Sequence, residues 1–213
     1  MIRRWYFRPL LVLLVIVVLA AAFVFIIRPW YFNWGATGAE IVQLMPGDEL
    51  VAQPAMSYTR AITIRAPAKD VWPWLAQFGQ AEGGMYSYQW IENGIGCQMT
   101  NADRIVPEWQ TVSLGDEVRM CQPGFGPPPF LVSELEPGRA LVMGHHPDGG
   151  GEGWTDSWAF VVSPIDAHSS RLFIRSRTMM AGGLWAAIEP GVFIMEYGAL
   201  HGIKARAEAM AGG

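Results

Sequence analysis

The sequence is poor in the features that announce chemistry. Its two cysteines, Cys97 and Cys121, form neither a CxxC pair nor a zinc-ligand spacing. It has no HExxH, no Gly-x-Ser-x-Gly elbow and no glycine loop followed by Lys-Ser/Thr. A zincin centre, a hydrolase nucleophile elbow and a phosphate loop are thereby absent, and no pattern calls for a metal or a cofactor. Internal repeats and alternating βαβ units are also missing. Acidic residues are lacking from the first 28 positions, and all 19 lie beyond them. Past that point 11 Lys and Arg face 19 Asp and Glu, a formal charge of about −8. Phosphate contacts need clustered Lys and Arg, so a nucleic acid is not an expected partner. Anionic lipid headgroups are equally poor partners for the acidic part.

What the first 28 residues do contain is a long apolar run. Leu10 to Ile27 carries no charged or polar side chain. As a helix it rises roughly 27 Å, close to the ~30 Å hydrocarbon core of a bilayer. Trp5-Tyr6-Phe7-Arg8-Pro9 precedes the run, and Arg28-Pro29-Trp30-Tyr31-Phe32 follows it in mirrored order. That arrangement predicts an aromatic girdle at each headgroup layer, with an arginine snorkelling at each edge. The rival reading is a cleaved signal peptide ending at Ala20-Ala21-Ala22, but the apolar run continues past it to Ile27. Arg3, Arg4, Arg8 and the amino terminus lie before the run; after it comes Arg28 and then no Lys or Arg until Arg60. The positive-inside rule therefore predicts a cytoplasmic N-terminus and an extracytoplasmic domain in the cell membrane. The two cysteines read first as buried thiols; a disulfide becomes possible if the domain lies outside the cytoplasm.

The remaining 185 residues suffice for one core. Three parts are expected: an anchor over 1–32, a connector over 33–56 punctuated by Gly and Pro, and a domain over 57–213. Thr59 to Arg65 alternates as a strand. Val71, Trp74, Leu75 and Phe78 then fall at helical spacing, with Pro73 among them and Gly79 at the end. Gly83 to Gln110 reads as irregular and aromatic. Five further strands follow, at 117–120, 130–135, 140–145, 155–162 and 171–178. Hairpins are marked by Pro137-Gly138 and by Asp166 to Ser170. Gly182-Gly183 reads as a break, and Val192 to about Met210 as the best helix of the domain. This order is α+β with an antiparallel sheet.

Local signatures sharpen the picture. Ile62-Thr-Ile-Arg-Ala-Pro67 leads into Val71-Trp-Pro-Trp-Leu75, followed by Gly84-Met-Tyr-Ser-Tyr88, Pro107-Glu-Trp-Gln110, Gly115-Asp-Glu-Val118 and the segment Met195 to Glu208. In these signatures and in element order, Ser57 to Met210 resembles the SRPBCC superfamily of START-like and polyketide-cyclase-like domains. The resemblance implies a helix-grip fold: a curved antiparallel sheet wrapped around a long C-terminal helix, here preceded by one transmembrane helix. It also implies a largely apolar cavity between sheet and helix. It does not select a function, since the superfamily includes carriers, receptors and enzymes.

The candidate cavity residues are Trp74, Phe78, Tyr86, Tyr88, Trp158, Phe193, Glu196 and Leu200. Tyr86 and Tyr88 would line a mouth, or else belong to a satellite hydrophobic cluster. Glu196 would orient a ligand or move a proton, or else pair with a strand arginine such as Arg175 or Arg177. His145-His146-Pro147-Asp148 with Glu152 has the residue types of a metal site, but adjacent strand histidines point to opposite faces. Gly124-Phe-Gly126-Pro-Pro-Pro129 would be a lid or an ordered surface loop. The expected function is a tethered binding module for a lipid or another apolar small molecule. The alternatives are a cyclase or dehydratase using Glu196, Tyr86 or Tyr88 as acid–base groups, and an accessory subunit whose anchor packs in a membrane complex, which Ala20-Ala21-Ala22 would permit.

Overall fold

Apolar residues at both parities of the later strands require cover on both faces of the sheet, and the computed structural model supplies it. It describes residues 7–147 and 151–212. Six strands form one antiparallel sheet: β1 (Met56–Ile64), β2 (Glu117–Val118), β3 (Phe130–Glu136), β4 (Ala140–Gly144), β5 (Asp156–Pro164) and β6 (Ser170–Thr178). Their spatial order is β1-β6-β5-β4-β3-β2, so the N-terminal strand closes the edge beside the last one. A register shift between Val132 and Glu134 bulges β3 against β4 and bends the strand locally. The architecture is α+β of the helix-grip type, with the sheet curved around a long C-terminal helix.

Six α-helical segments accompany the sheet: α1 (Phe7–Ala22), α2 (Arg28–Phe32), α3 (Gly38–Val42), α4 (Ala68–Ala76), α5 (Gln89–Gly94) and α6 (Gly183–Ala211). Phe23–Ile27 is a π-helical turn joining α1 to α2. Together they contain one helical stretch, Leu11–Phe32, long and apolar enough to cross a membrane. The N-terminal girdle residues Trp5 and Tyr6 lie outside the described residues.

One face of the sheet meets α4 and α6. Ile62, Ile64, Leu141, Met143, Phe160, Val162, Leu172 and Ile174 pack there against Val71, Trp74 and Leu75 of α4 and against Leu200, Ile203 and Ala207 of α6. The other face carries Ala61, Val142, Ala159, Val161 and Phe173, and Met45 and Leu50 cover it. The stretch expected to be a loose connector is therefore a strap on the outer face. Arg175 fastens it, donating to the carbonyls of Gln43, Glu40 and Ile41 and to Asp48. Arg177 donates to the carbonyls of Val51 and Ala52, and Arg171 pairs with Glu40. A capping box at Thr37 and Glu40 starts α3. The periodicity of hydrophobic residues missed this role because the strap is held by its backbone carbonyls, which sequence does not display.

α6 begins nine residues before the expected Val192, at Gly183. Gly182 and Gly183, with φ of 70° and 55°, mark the entry to the helix itself, with no separate stretch between the expected break and Val192. Pro190 lies inside the helix. Its missing N–H removes one ladder bond without ending the helix. Cys97 and Cys121 are joined in a disulfide.

Candidate functional site

Tyr86 is the centre of the candidate site. Its φ is +55°, an unfavourable region for a bulky L-residue. The neighbours hold it there. Asn101 Oδ1 accepts from the Tyr86 N–H at 2.8 Å, while Asn101 Nδ2 donates to the Ser87 carbonyl at 3.0 Å. Ser87 Oγ donates to the Met195 carbonyl of α6 at 2.8 Å. The helix approaches so closely that a Cβ on Gly202 would stand 1.9 Å from the Tyr86 carbonyl oxygen. Gly198 makes the same close approach possible beside Ser87 and Tyr88. The sequence placed these glycines on the last helix but gave no sign of what they meet.

The buried Tyr86 ring enters an aromatic cluster between sheet and α6. It lies edge-on to Trp74, with centroids 5.7 Å apart, and 6.2 Å from Phe78. Phe78 meets Trp158 at 5.7 Å and Phe160 at 4.7 Å. Trp74, Phe78, Tyr86, Trp158 and Leu200 thus come together in one core, and their side chains occupy the space in which a cavity was expected. Three polar atoms in this core have no hydrogen-bond partner among the described residues: Trp74 Nε1, the Tyr86 hydroxyl and Trp158 Nε1. Burial pushes the Tyr86 hydroxyl pKa well above its ordinary value. Each such orphan costs about 1–3 kcal/mol unless water or a ligand group satisfies it.

The other candidates go elsewhere. Tyr88 is half-buried at the N-cap position of α5, without a side-chain capping bond. Phe193 leaves the cluster altogether, stacking on Tyr31 at 5.5 Å and meeting Trp30 edge-on at 5.6 Å. Glu196 is buried and paired, but with Arg60 of β1 and not with Arg175 or Arg177. The two β6 arginines point to the outer face, where Asp48 lies beside both. The Tyr58 hydroxyl donates to Glu196 Oε1 at 2.9 Å, and burial raises the Tyr58 pKa far above its usual value. Arg60 also donates to the Tyr31 carbonyl at 3.0 Å and lies 4.0 Å over the Tyr58 ring.

A cleft of about 490 Å³ opens beside the C-terminal half of α6, lined by Trp74, Asp103, Arg104, Ile105, Ala205, Arg206, Ala209 and Met210. That volume lies within the range of small-molecule sites. Trp74 is both a wall of the aromatic core and part of the cleft lining. Arg206 lies 5.0 Å over the Tyr86 ring and 6.0 Å over that of Trp74. It donates to the carbonyls of Ala102 and Gly202, and burial lowers its pKa. The cleft was invisible in sequence because its two sides are a hundred residues apart. A second hollow under Leu75 and Phe78 holds only about 60 Å³, room for no more than a few waters.

Two buried groups were not anticipated. Gln77 organises the segment after it: its side chain donates to the Arg104 carbonyl and accepts from the Val106 N–H and from Gln110 Nε2. Glu92, whose Oε2 has no partner among the described residues, is pushed by burial to a pKa of about 7. His145 and His146 do not converge. His145 Nδ1 faces Asp156 at 3.0 Å, which raises its pKa, whereas His146 bonds the Gly153 carbonyl and stacks on Trp154. Asp148 lies outside the described residues, and those described hold no cluster of three metal-binding side chains.

No family model matches the chain, and no curated protein matches it in sequence. Solved structures do resemble it in fold. The Aha1 dimer protein from Colwellia psychrerythraea is 15% identical over 72% of this chain and 96% of that one, with a TM-score of 0.43. A protein from Thermobifida fusca is 14% identical over 72% and 94%, with a TM-score of 0.49. CalC from Micromonospora echinospora, described as a self-sacrificing resistance protein, is 9% identical over 73% and 96%, with a TM-score of 0.47.

Proposed function

We propose that this chain is a membrane-anchored binding module of the SRPBCC type that takes up an apolar or amphipathic small molecule. One observation carries this reading: a ligand-sized cleft lined in part by Trp74, backed by an aromatic core in which Trp74 Nε1, the Tyr86 hydroxyl and Trp158 Nε1 lack partners. A ligand with an apolar body would bury surface at roughly 25 cal/mol per Å², and a polar group on it would accept from Trp74 Nε1, the orphaned donor whose side chain lines the cleft. Arg104 and Arg206 at the cleft favour a polar or anionic end. Glu196 is engaged by Arg60 and Tyr58, which favours binding over acid–base catalysis by that residue.

The anchor reading is supported by the helix over Leu11–Phe32 and the arginines that bracket its apolar run. An extracytoplasmic domain is supported by the arginine asymmetry and by the Cys97–Cys121 disulfide, which an oxidising compartment maintains. Arg206 lies 17 residues beyond Glu189 on α6, so the cleft is about 25 Å along the helix from the end that meets α2. Its mouth then faces the aqueous phase, not the bilayer.

The test is direct. Full-length protein in phosphatidylcholine nanodiscs is titrated with an environment-sensitive apolar dye, and small molecules co-purifying with it are identified by mass spectrometry. Saturable uptake that Ala205→Trp, a substitution in the cleft lining, blocks with unchanged circular dichroism is the expected result. A native protein that takes up no dye and carries no defined compound refutes the binding reading.

A further inference from the structure

We infer that the β6–α6 turn and the first turns of α6 form a second membrane-contacting element, seated in the outer face of the same bilayer that the N-terminal helix crosses. The inference rests on the anchor reading above and adds a surface to it. Three ladders of contact fix how α6 runs relative to the anchor. Arg28 makes a forked pair with Glu189 at 2.8 and 2.9 Å. Tyr31 stacks on Phe193 at 5.5 Å, and its hydroxyl donates to Glu189. Trp34 meets Tyr197 at 4.7 Å and His201 at 5.4 Å. Positions 28, 31 and 34 therefore pair in ascending order with 189, 193 and 197, so α6 runs parallel to the chain leaving the span.

Parallel docking has a consequence. Residues before Glu189 therefore extend toward the depth of the apolar span and not away from it. Gly183 is six residues before Glu189, about 9 Å nearer the bilayer centre. Interfacial helices sink by about 5–10 Å. The stretch Met179–Ile188 contains no charged residue. Met179, Met180 and Ile188 are exposed, as is Trp30 on the anchor side, which meets Phe193. Such a run of exposed apolar side chains is costly in water. Trp185 is only part-exposed, its Nε1 bonded to Met56 Sδ, which fixes this end of α6 to the start of β1. The first charge met is Glu189, buried and already neutralised by Arg28, the arginine placed to snorkel at that depth. The bilayer is the occupant these features fit: the patch is uncharged, and the Arg28–Glu189 pair and the Tyr31–Phe193 stack hold it at the outer end of the span.

The test uses full-length protein in phosphatidylcholine nanodiscs with one added cysteine carrying an NBD fluorophore; Cys97 and Cys121 are tied in their disulfide. Ala187→Cys probes the patch, Val17→Cys the middle of the span and Ala209→Cys the cleft. The expected result is that probes at 187 and 17 are quenched by doxyl-labelled lipid and protected from aqueous iodide, with the reverse at 209. Met180→Cys repeats the measurement should the first label disturb folding. If 187 and 180 behave like 209 while 17 is lipid-quenched, the inference fails and the anchor stands. If 17 is also open to iodide, the anchor reading fails and takes the inference with it. Protection of 187 from both quenchers, with 187-to-187 crosslinking between copies, assigns the patch to a protein contact and overturns the inference.

Discussion

Replacing Glu196 by Gln isolates the most consequential polar contact in the domain. Arg60 is 1% exposed and Glu196 4%, so the guanidinium has no route to water once its counter-charge is gone. Removing one partner of a buried pair costs about 3–5 kcal/mol, chiefly the desolvation of the charge left behind. A domain of this kind has about 5–15 kcal/mol in total, so Glu196→Gln should remove a large share of it. The Tyr58 hydroxyl can still donate to the amide oxygen, and Arg60 keeps its bond to the Tyr31 carbonyl. Those bonds, about 1 kcal/mol each, set the lower end of the loss. The double variant Arg60→Met, Glu196→Leu removes both charges together and should recover to within ~2 kcal/mol of the parent. Urea unfolding of full-length protein in nanodiscs, followed by tryptophan fluorescence, measures all three. A loss below ~1 kcal/mol for Glu196→Gln would refute a buried, mutually dependent pair. A stable variant that loses dye uptake would instead return Glu196 to the ligand site.

Glu92 supplies a pH prediction. Its folded pKa of about 7 lies above the ordinary carboxylate value, so stability it contributes is full below the unfolded pKa and is lost as pH rises through 7. Glu92→Gln should flatten that loss and stabilise the protein at pH 8 by on the order of 1–3 kcal/mol; a variant that follows the parent's pH profile from 5 to 8 contradicts the assignment. Gly202→Ala should destabilise by about 1–3 kcal/mol, because its Cβ has no space against the Tyr86 carbonyl, whereas the same change at Gly38, where nothing lies within 4 Å, leaves the melting temperature within the error of a thermal scan. Cys97→Ser with Cys121→Ser should cost about 3 kcal/mol by reopening the loop between them yet leave a folded domain; thiol counting that finds two free cysteines in the oxidised parent would overturn the pairing.

Much of the architecture could be read from residues in order. The apolar run before Arg28 marked the membrane-length helix, and alternation with turn residues marked all six strands within a few positions. Those features are local: hydrophobic period and turn chemistry act over neighbours in the chain. The strap over 33–56 was not legible, because Arg171, Arg175 and Arg177 hold it through backbone carbonyls whose positions depend on the sheet behind them. The early start of α6 was hidden for a related reason. Gly182, Gly183 and Pro190 disfavour a helix locally, and packing of Glu189 and Phe193 on Arg28 and Tyr31 outweighs them.

The candidate site divides in the same way. Sequence alone determined that Trp74, Phe78, Trp158 and Leu200 would face an interior, since each sits on the apolar stripe of its element. It also marked Glu196 as a carboxylate beside an apolar face. Only the tertiary structure decided its partner, because Arg60 and Arg175 both lie on strands and the parity of each strand sends one inward and the other outward. Only the tertiary structure moved Phe193 to the anchor junction, filled the expected cavity with rings, and opened the cleft between Arg104 and Arg206. Those outcomes depend on distances between segments about a hundred residues apart, which side-chain pattern along one element does not encode.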